Sequence, residues 1–140
     1  MSLIVVFKVE GMPKAKGRPR FARRGNFVST YTPKSTLEYE DFIVDKAKRA
    51  MGASEPFKTD LEAFIYISMP VPKSYSKKRR EACLIGSERP SKKPDIDNII
   101  KAYLDAMNGV VYDDDTQIVD LHATKVYGEP YVEIMIREAE

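Results

Sequence analysis

The sequence predicts a small single domain of the α/β class, α+β in character, with a mixed β-sheet of about four strands and helices packed on it. Three observations carry that prediction. Apolar residues alternate with period two in four runs, two long segments repeat them with helical period, and the elements follow the order strand, helix, strand, helix, helix, strand, strand. At 140 residues the chain is long enough to bury most of its apolar surface in one core, so residues 1–140 are read as one unit.

Residues 3–10 read as a strand with Leu3, Val5, Phe7 and Val9 on one face, ending at Gly11. Residues 11–33 hold Lys14, Lys16, Arg18, Arg20, Arg23 and Arg24 and no acidic residue. Pro13, Gly17, Pro19 and Gly25 forbid a regular helix there, so the segment reads as an extended loop. Phe21, Phe27 and Tyr31 interleave with the charges, a composition suited to gripping phosphates and stacking on bases. A helix follows over 35–50, with Ser35 and Glu38 as a capping box and Tyr39, Phe42, Ile43, Ala47 and Ala50 as its buried stripe.

Residues 61–69 alternate again, with Leu61, Ala63, Ile65 and Ile67 inward, and stop at Pro70. A short helix starts near Lys77, capped by Ser74 or Ser76. Its run Lys77, Lys78, Arg79 and Arg80 circles the helix, so solvent is as good a destination as a ligand. Residues 86–93 form a loop ending in Lys92 and Lys93. Pro94 in front and Asn108-Gly109 behind bracket a helix over 96–107, and strands at 118–126 and 131–137 close the chain.

Composition excludes several classes. The hydrophobic share of 43% and charged share of 31% describe a globular protein. No apolar run approaches the roughly 20 residues of a membrane helix. The first residues lack the basic lead of a secretory signal. The single Cys83 rules out an internal disulfide framework and fits a reducing cytoplasm; with only His122 beside it, a Cys/His zinc site is also excluded. The net charge of +2 hides an asymmetry: residues 1–93 carry 20 Lys and Arg against 10 Asp and Glu, residues 94–140 carry 3 against 11. A basic body around an acidic centre suits a protein that holds a polyanion and places a metal on it.

That centre is the stretch 93–117, which holds Asp95, Asp97, Asp105, Asp113, Asp114 and Asp115 around Lys101. Carboxylates this dense repel one another unless a cation or proton lies between them. The cation is read as a metal, magnesium, acting on a nucleic-acid phosphate. Ordinary roles compete. Asp95 and Asp97 suit helix capping, Asp97 and Lys101 an i,i+4 ion pair, and 113–115 an exposed acidic turn. Three separate explanations are then needed where one site suffices. An EF-hand, a P-loop and a dinucleotide fingerprint all fail on glycine and glutamate positions. His122 lacks the setting of a catalytic triad and reads as structural or surface.

The run K-P-D-I-D-N-x-x-K at 93–101, D-A-M-N-G-V at 105–110, D-D-T-Q at 114–117 and G-M-P-K-A-K-G-R-P-R at 11–20 together resemble the RusA family of Holliday junction resolvases. The resemblance implies catalytic carboxylates and metal ligands at Asp95, Asp97 and Asp115, an essential lysine at Lys101, and a supporting aspartate at Asp114. Gln117 sets that register, and Asp105 is read as orienting Lys101 or the following loop. It further implies a homodimer that binds four-way DNA and makes paired symmetric nicks with Mg2+, Mn2+ being a possible substitute. DNA contacts are assigned to Lys14, Lys16, Arg18, Arg20, Arg23, Arg24, Lys92 and Lys93. No membrane and no small-molecule cofactor are expected. The competing readings are a less selective flap or fork nuclease and a junction-binding protein that does not cut.

Overall fold

Alternating apolar residues build the sheet as expected. The structure, a computed structural model, describes residues 4–16, 20–25, 27–31 and 34–140. In β1 (Ile4–Glu10) Val5, Phe7 and Val9 are buried while their neighbours face outward. In β4 (Leu61–Met69) Leu61, Ala63, Ile65 and Ile67 fill the centre of the core. With β5 (Ile118–Tyr127) and β6 (Tyr131–Glu138) these strands form a four-stranded sheet in the order β1-β6-β4-β5. β6 pairs antiparallel with β1 and β4, whereas β4 and β5 are parallel, so the sheet is mixed. A parallel neighbour needs a crossover connection, which here carries α2 (Lys77–Leu84) and α3 (Ile96–Met107).

Helices α1 (Lys34–Met51) and α3 pack on one sheet face and on each other. Ile99, Ala102, Tyr103, Ala106 and Met107 give α3 its buried side, with Ile100 and Leu104 partly covered. The Tyr39 and Tyr103 hydroxyls bond at 2.5 Å, joining the two helices inside the core. The other face of the sheet is open and carries Val6, Phe64, Tyr66, His122 and Met135. Among the described residues no helix is long and apolar enough to cross a membrane.

Several expectations are corrected. Residues 11–33 are not irregular throughout: β2 (Arg20–Arg24) and β3 (Phe27–Tyr31) pair as a separate antiparallel hairpin. Gly25, at φ +60°, supplies the left-handed turn residue that so tight a reversal needs. α1 starts at Lys34, so Ser35 lies inside its first turn rather than capping it. Its buried stripe is Thr36, Ile43, Ala47 and Met51, spaced by seven, four and four; Phe42 and Ala50 fall outside it, and the Phe42 ring lies 5.4 Å from Lys46 Nζ. Of the two candidates, Ser76 caps α2, its hydroxyl accepting the Arg79 N–H at 3.2 Å. Leu3, Gly17, Arg18, Pro19 and the side chains of Arg20, Phe21, Arg24, Phe27 and Tyr31 lie outside the described residues.

Candidate active site

The site begins at the mouth of α3. Asp95 occupies the N-cap position with extended backbone, yet its side chain makes no capping hydrogen bond. Asp97 follows in the first turn, and both are exposed. Among the described residues neither forms an ion pair: Lys101 reaches forward to Asp105 at 3.7 Å instead of back to Asp97. Both ordinary roles, cap and i,i+4 partner, are therefore left unfilled. The two carboxylates line an open groove of about 710 Å³ whose basic lining is Arg89, Lys92, Lys93 and Lys125.

Further along α3, Asp105 receives a second lysine. Lys16 Nζ lies 2.9 Å from Asp105 and 3.0 Å from Glu40 of α1, and its backbone N–H donates to Asn98 at 3.1 Å. Burial alone would lower the Lys16 pKa, but hydrogen bonds to Asp105 and Glu40 hold it above the ordinary lysine value. The basic segment is thereby fastened to the acidic helix.

After α3 the chain reverses tightly. Gly109, at φ +77°, donates its N–H to Tyr112 O at 2.7 Å, and the buried Tyr112 hydroxyl donates to Leu104 O at 2.6 Å. The acidic turn that follows is braced by Gln117, in the 3₁₀ turn Asp115–Gln117. Its Oε1 accepts from the N–H groups of Asp113 and Asp114 at 2.9 and 3.0 Å, and its Nε2 donates to Phe57 and Thr59 carbonyls at 2.9 and 3.0 Å. Asp115 N–H donates to Asn108 Oδ1 at 2.9 Å. Asp113 points elsewhere, into an ion pair with Lys58 at 2.7 Å. Burial, then Asp114 and Asp105, push the Asp115 carboxyl above the usual carboxylate range, while Lys101 pulls it down.

The acidic groups do not meet at one point. α3 has 12 residues, about 18 Å at 1.5 Å each, with Asp95 and Asp97 at its start and the Asp115 main chain tied to its end. Lys101 and Asp105 lie between them. Among the described residues, the one His/Cys/Asp/Glu group whose ligand atoms all fall within 4.8 Å is Glu62, Asp120 and His122, on the open sheet face. Those side chains already have partners of their own. Arg137 Nε donates to Glu62 at 2.6 Å, and His122, stacked 4.6 Å from Phe64, bridges Glu62 and Asp120 at 3.1 and 3.2 Å.

The basic residues assigned to DNA are dispersed. Lys92 and Lys93 edge the groove, with Lys92 Nζ 4.6 Å from the Tyr75 ring. Lys14 Nζ is 5.8 Å from the Tyr39 ring, Lys16 is engaged internally, and Arg23 is exposed with its Nε donating to Gly25 O at 3.3 Å. Arg18 and the Arg20 and Arg24 side chains lie outside the described residues. Missed from sequence were Glu40, Arg89 and Lys125, whereas Asn108 was named as a helix end and within the 105–110 motif but not as the partner of Asp115. Lys125 carried a signal: it occupies an inward position of an alternating strand, between Ala123 and Tyr127.

Unpaired carboxylates in a groove walled by lysine and arginine define a protein built to meet a polyanion, with room for a cation between. The chain matches the family described as endodeoxyribonuclease RusA over residues 10–137, and it belongs to that family. A Bacillus subtilis (strain 168) protein described as the uncharacterized protein YqaN is 38% identical over 138 residues, covering 96% of each chain. Membership implies endodeoxyribonuclease activity directed at branched DNA junctions.

Proposed function

We propose that the protein is a Holliday junction resolvase that makes paired symmetric nicks by magnesium-dependent phosphodiester hydrolysis, acting as a homodimer. The observation that carries this is the pair Asp95 and Asp97, exposed in a basic groove and free of both the capping and the ion-pair roles that would explain them.

The residues fit a hard divalent cation. Asp95, Asp97 and Asp115 offer carboxylate oxygens, the ligand type that magnesium takes, and neighbouring acids already press on Asp115. Asp95 and Asp97 share the mouth of α3, and catalytic contacts are commonly longer before substrate binds. Bound by these carboxylates, magnesium, or manganese in its place, would supply an activated water and offset charge developing on phosphorus.

The chain supplies the rest. Lys101 is the fixed cation that stabilises negative charge on the phosphate oxygens. Asp105 restrains it from one side, and Lys16 with Glu40 restrains Asp105 from the other. Asp114 and Gln117 hold the turn that carries Asp115. Lys92, Lys93, Lys14, Arg18, Arg20, Arg23 and Arg24 meet DNA phosphates and fix the strand in register. A two-fold junction is cut on two strands, and a two-fold dimer brings one site to each.

The test is Asp97→Asn, assayed on a synthetic four-way junction with Mg2+. The expected loss of nicking exceeds about 100-fold, the upper end of what removing a mere outer-shell partner costs. Undiminished cleavage by a folded variant would remove Asp97 from the chemistry.

A further inference from the structure

We infer that Lys125 is a positioning residue for this site: its ammonium clamps the main chain at Lys92 and Pro94 and so fixes the mouth of α3 from which Asp95 and Asp97 project. The inference rests on reading those aspartates as metal ligands.

Lys125 Nζ donates to Lys92 O at 2.5 Å and to Pro94 O at 2.7 Å. The Lys125 carbonyl in turn accepts from Arg89 Nη2 at 3.2 Å. Strand β5 therefore holds the approach to α3 at three points. Residues 90–94 have no helix or ladder of their own, so their carbonyls lack the partners that regular structure provides. One ammonium can serve two carbonyls two residues apart only if both point the same way. That condition fixes the Lys92–Lys93 and Pro94–Asp95 peptides, and with them the direction in which the chain enters Asp95.

The position itself argues for a task. Lys125 pairs in register with Ile67, which is fully buried, and Ala123 and Tyr127 flank it on the same side of β5. An ammonium at an inward place is costly unless it is hydrogen-bonded, and burial does push the Lys125 pKa down while Asp95 raises it. An apolar side chain would suit the core better. Lys125 makes no direct ion pair with Asp95 among the described residues, so its contacts with this segment are to the main chain. Two of its three donors are used on the loop, which leaves little for a phosphate. Lys92 and Lys93 remain on the groove for that purpose.

The test is Lys125→Met, which keeps the length of the side chain and removes the donors. Amide hydrogen exchange at Ile99, whose N–H donates to Asp95 O at 3.1 Å, should accelerate at least about tenfold. The Mg2+ concentration giving half-maximal nicking should rise about 10–100-fold, as for other partners that orient metal ligands. Nicking at saturating Mg2+ and junction affinity without metal should stay within about threefold. A purely structural lysine would lower the melting temperature without moving the Mg2+ midpoint; a phosphate contact would weaken junction binding and flatten its salt dependence. Either pattern overturns the inference, as does unchanged exchange. If the methionine variant does not fold, Lys125→Gln is read by the same criteria. A wild-type protein that never nicks would refute the proposed reaction, and the exchange experiment would still decide the clamp.

Discussion

Gln117 uses both ends of one amide, joining the main chain at 113–114 to that at 57 and 59. Gln117→Leu leaves those groups to water or to no partner. Four bonds at about 1 kcal/mol each, partly replaced by water at an exposed turn, leave a cost of about 2 kcal/mol. Calorimetry should show the melting temperature falling by roughly 6 °C; a fall below about 1 °C would contradict the bracing role. The motif at 114–117 marked Gln117 as a register point, but not as a brace, because its acceptors lie 58 and 60 residues away. The partners of Lys125 and Glu40 were hidden for the same reason: each acts on a segment distant in sequence. Asp95 was legible as a residue of interest, whereas only coordinates could tell a capping aspartate from one whose side chain caps nothing.

At the scale of elements, α3 runs over the predicted 96–107 because Pro94 and Asn108-Gly109 punctuate both ends, and β4 matches because its alternation is unbroken. The β2–β3 hairpin was not legible, since charges dominate β2 and five residues per strand are too few to show a period. Strand pairing also created a network no motif announced. β4, β5 and β6 bring Glu62, His122 and Arg137 together across the open face. Hydrogen bonds from Arg137, opposed by burial and aided by His122, hold the Glu62 carboxyl below the usual range. A carboxyl depressed in the folded state adds stability above its unfolded pKa, roughly 4.3, and loses it as pH falls through the folded value. The melting-temperature advantage of wild type over Glu62→Gln should therefore be full at pH 7 and shrink steadily below about pH 4.3. An advantage that grows with acidification would show that the pair does not stabilise the fold.

Across the whole molecule, the charge asymmetry of the sequence becomes an arrangement in space. The acidic helix is fastened on one side to the basic segment through Lys16 and faces on the other a groove edged by Lys92 and Lys93. DNA backbone is drawn to such surfaces, and the carboxylates between them offer a place for a cation. The resolvase reading asks for more than cutting: two coordinated nicks on one junction. A supercoiled plasmid that extrudes a cruciform, incubated with the protein and Mg2+, measures this directly. Paired nicks across the junction convert it to linear DNA in one encounter, dependent on Mg2+, and that is the predicted product. Accumulation of open circles alone, or linear product without added metal ion, would contradict the account.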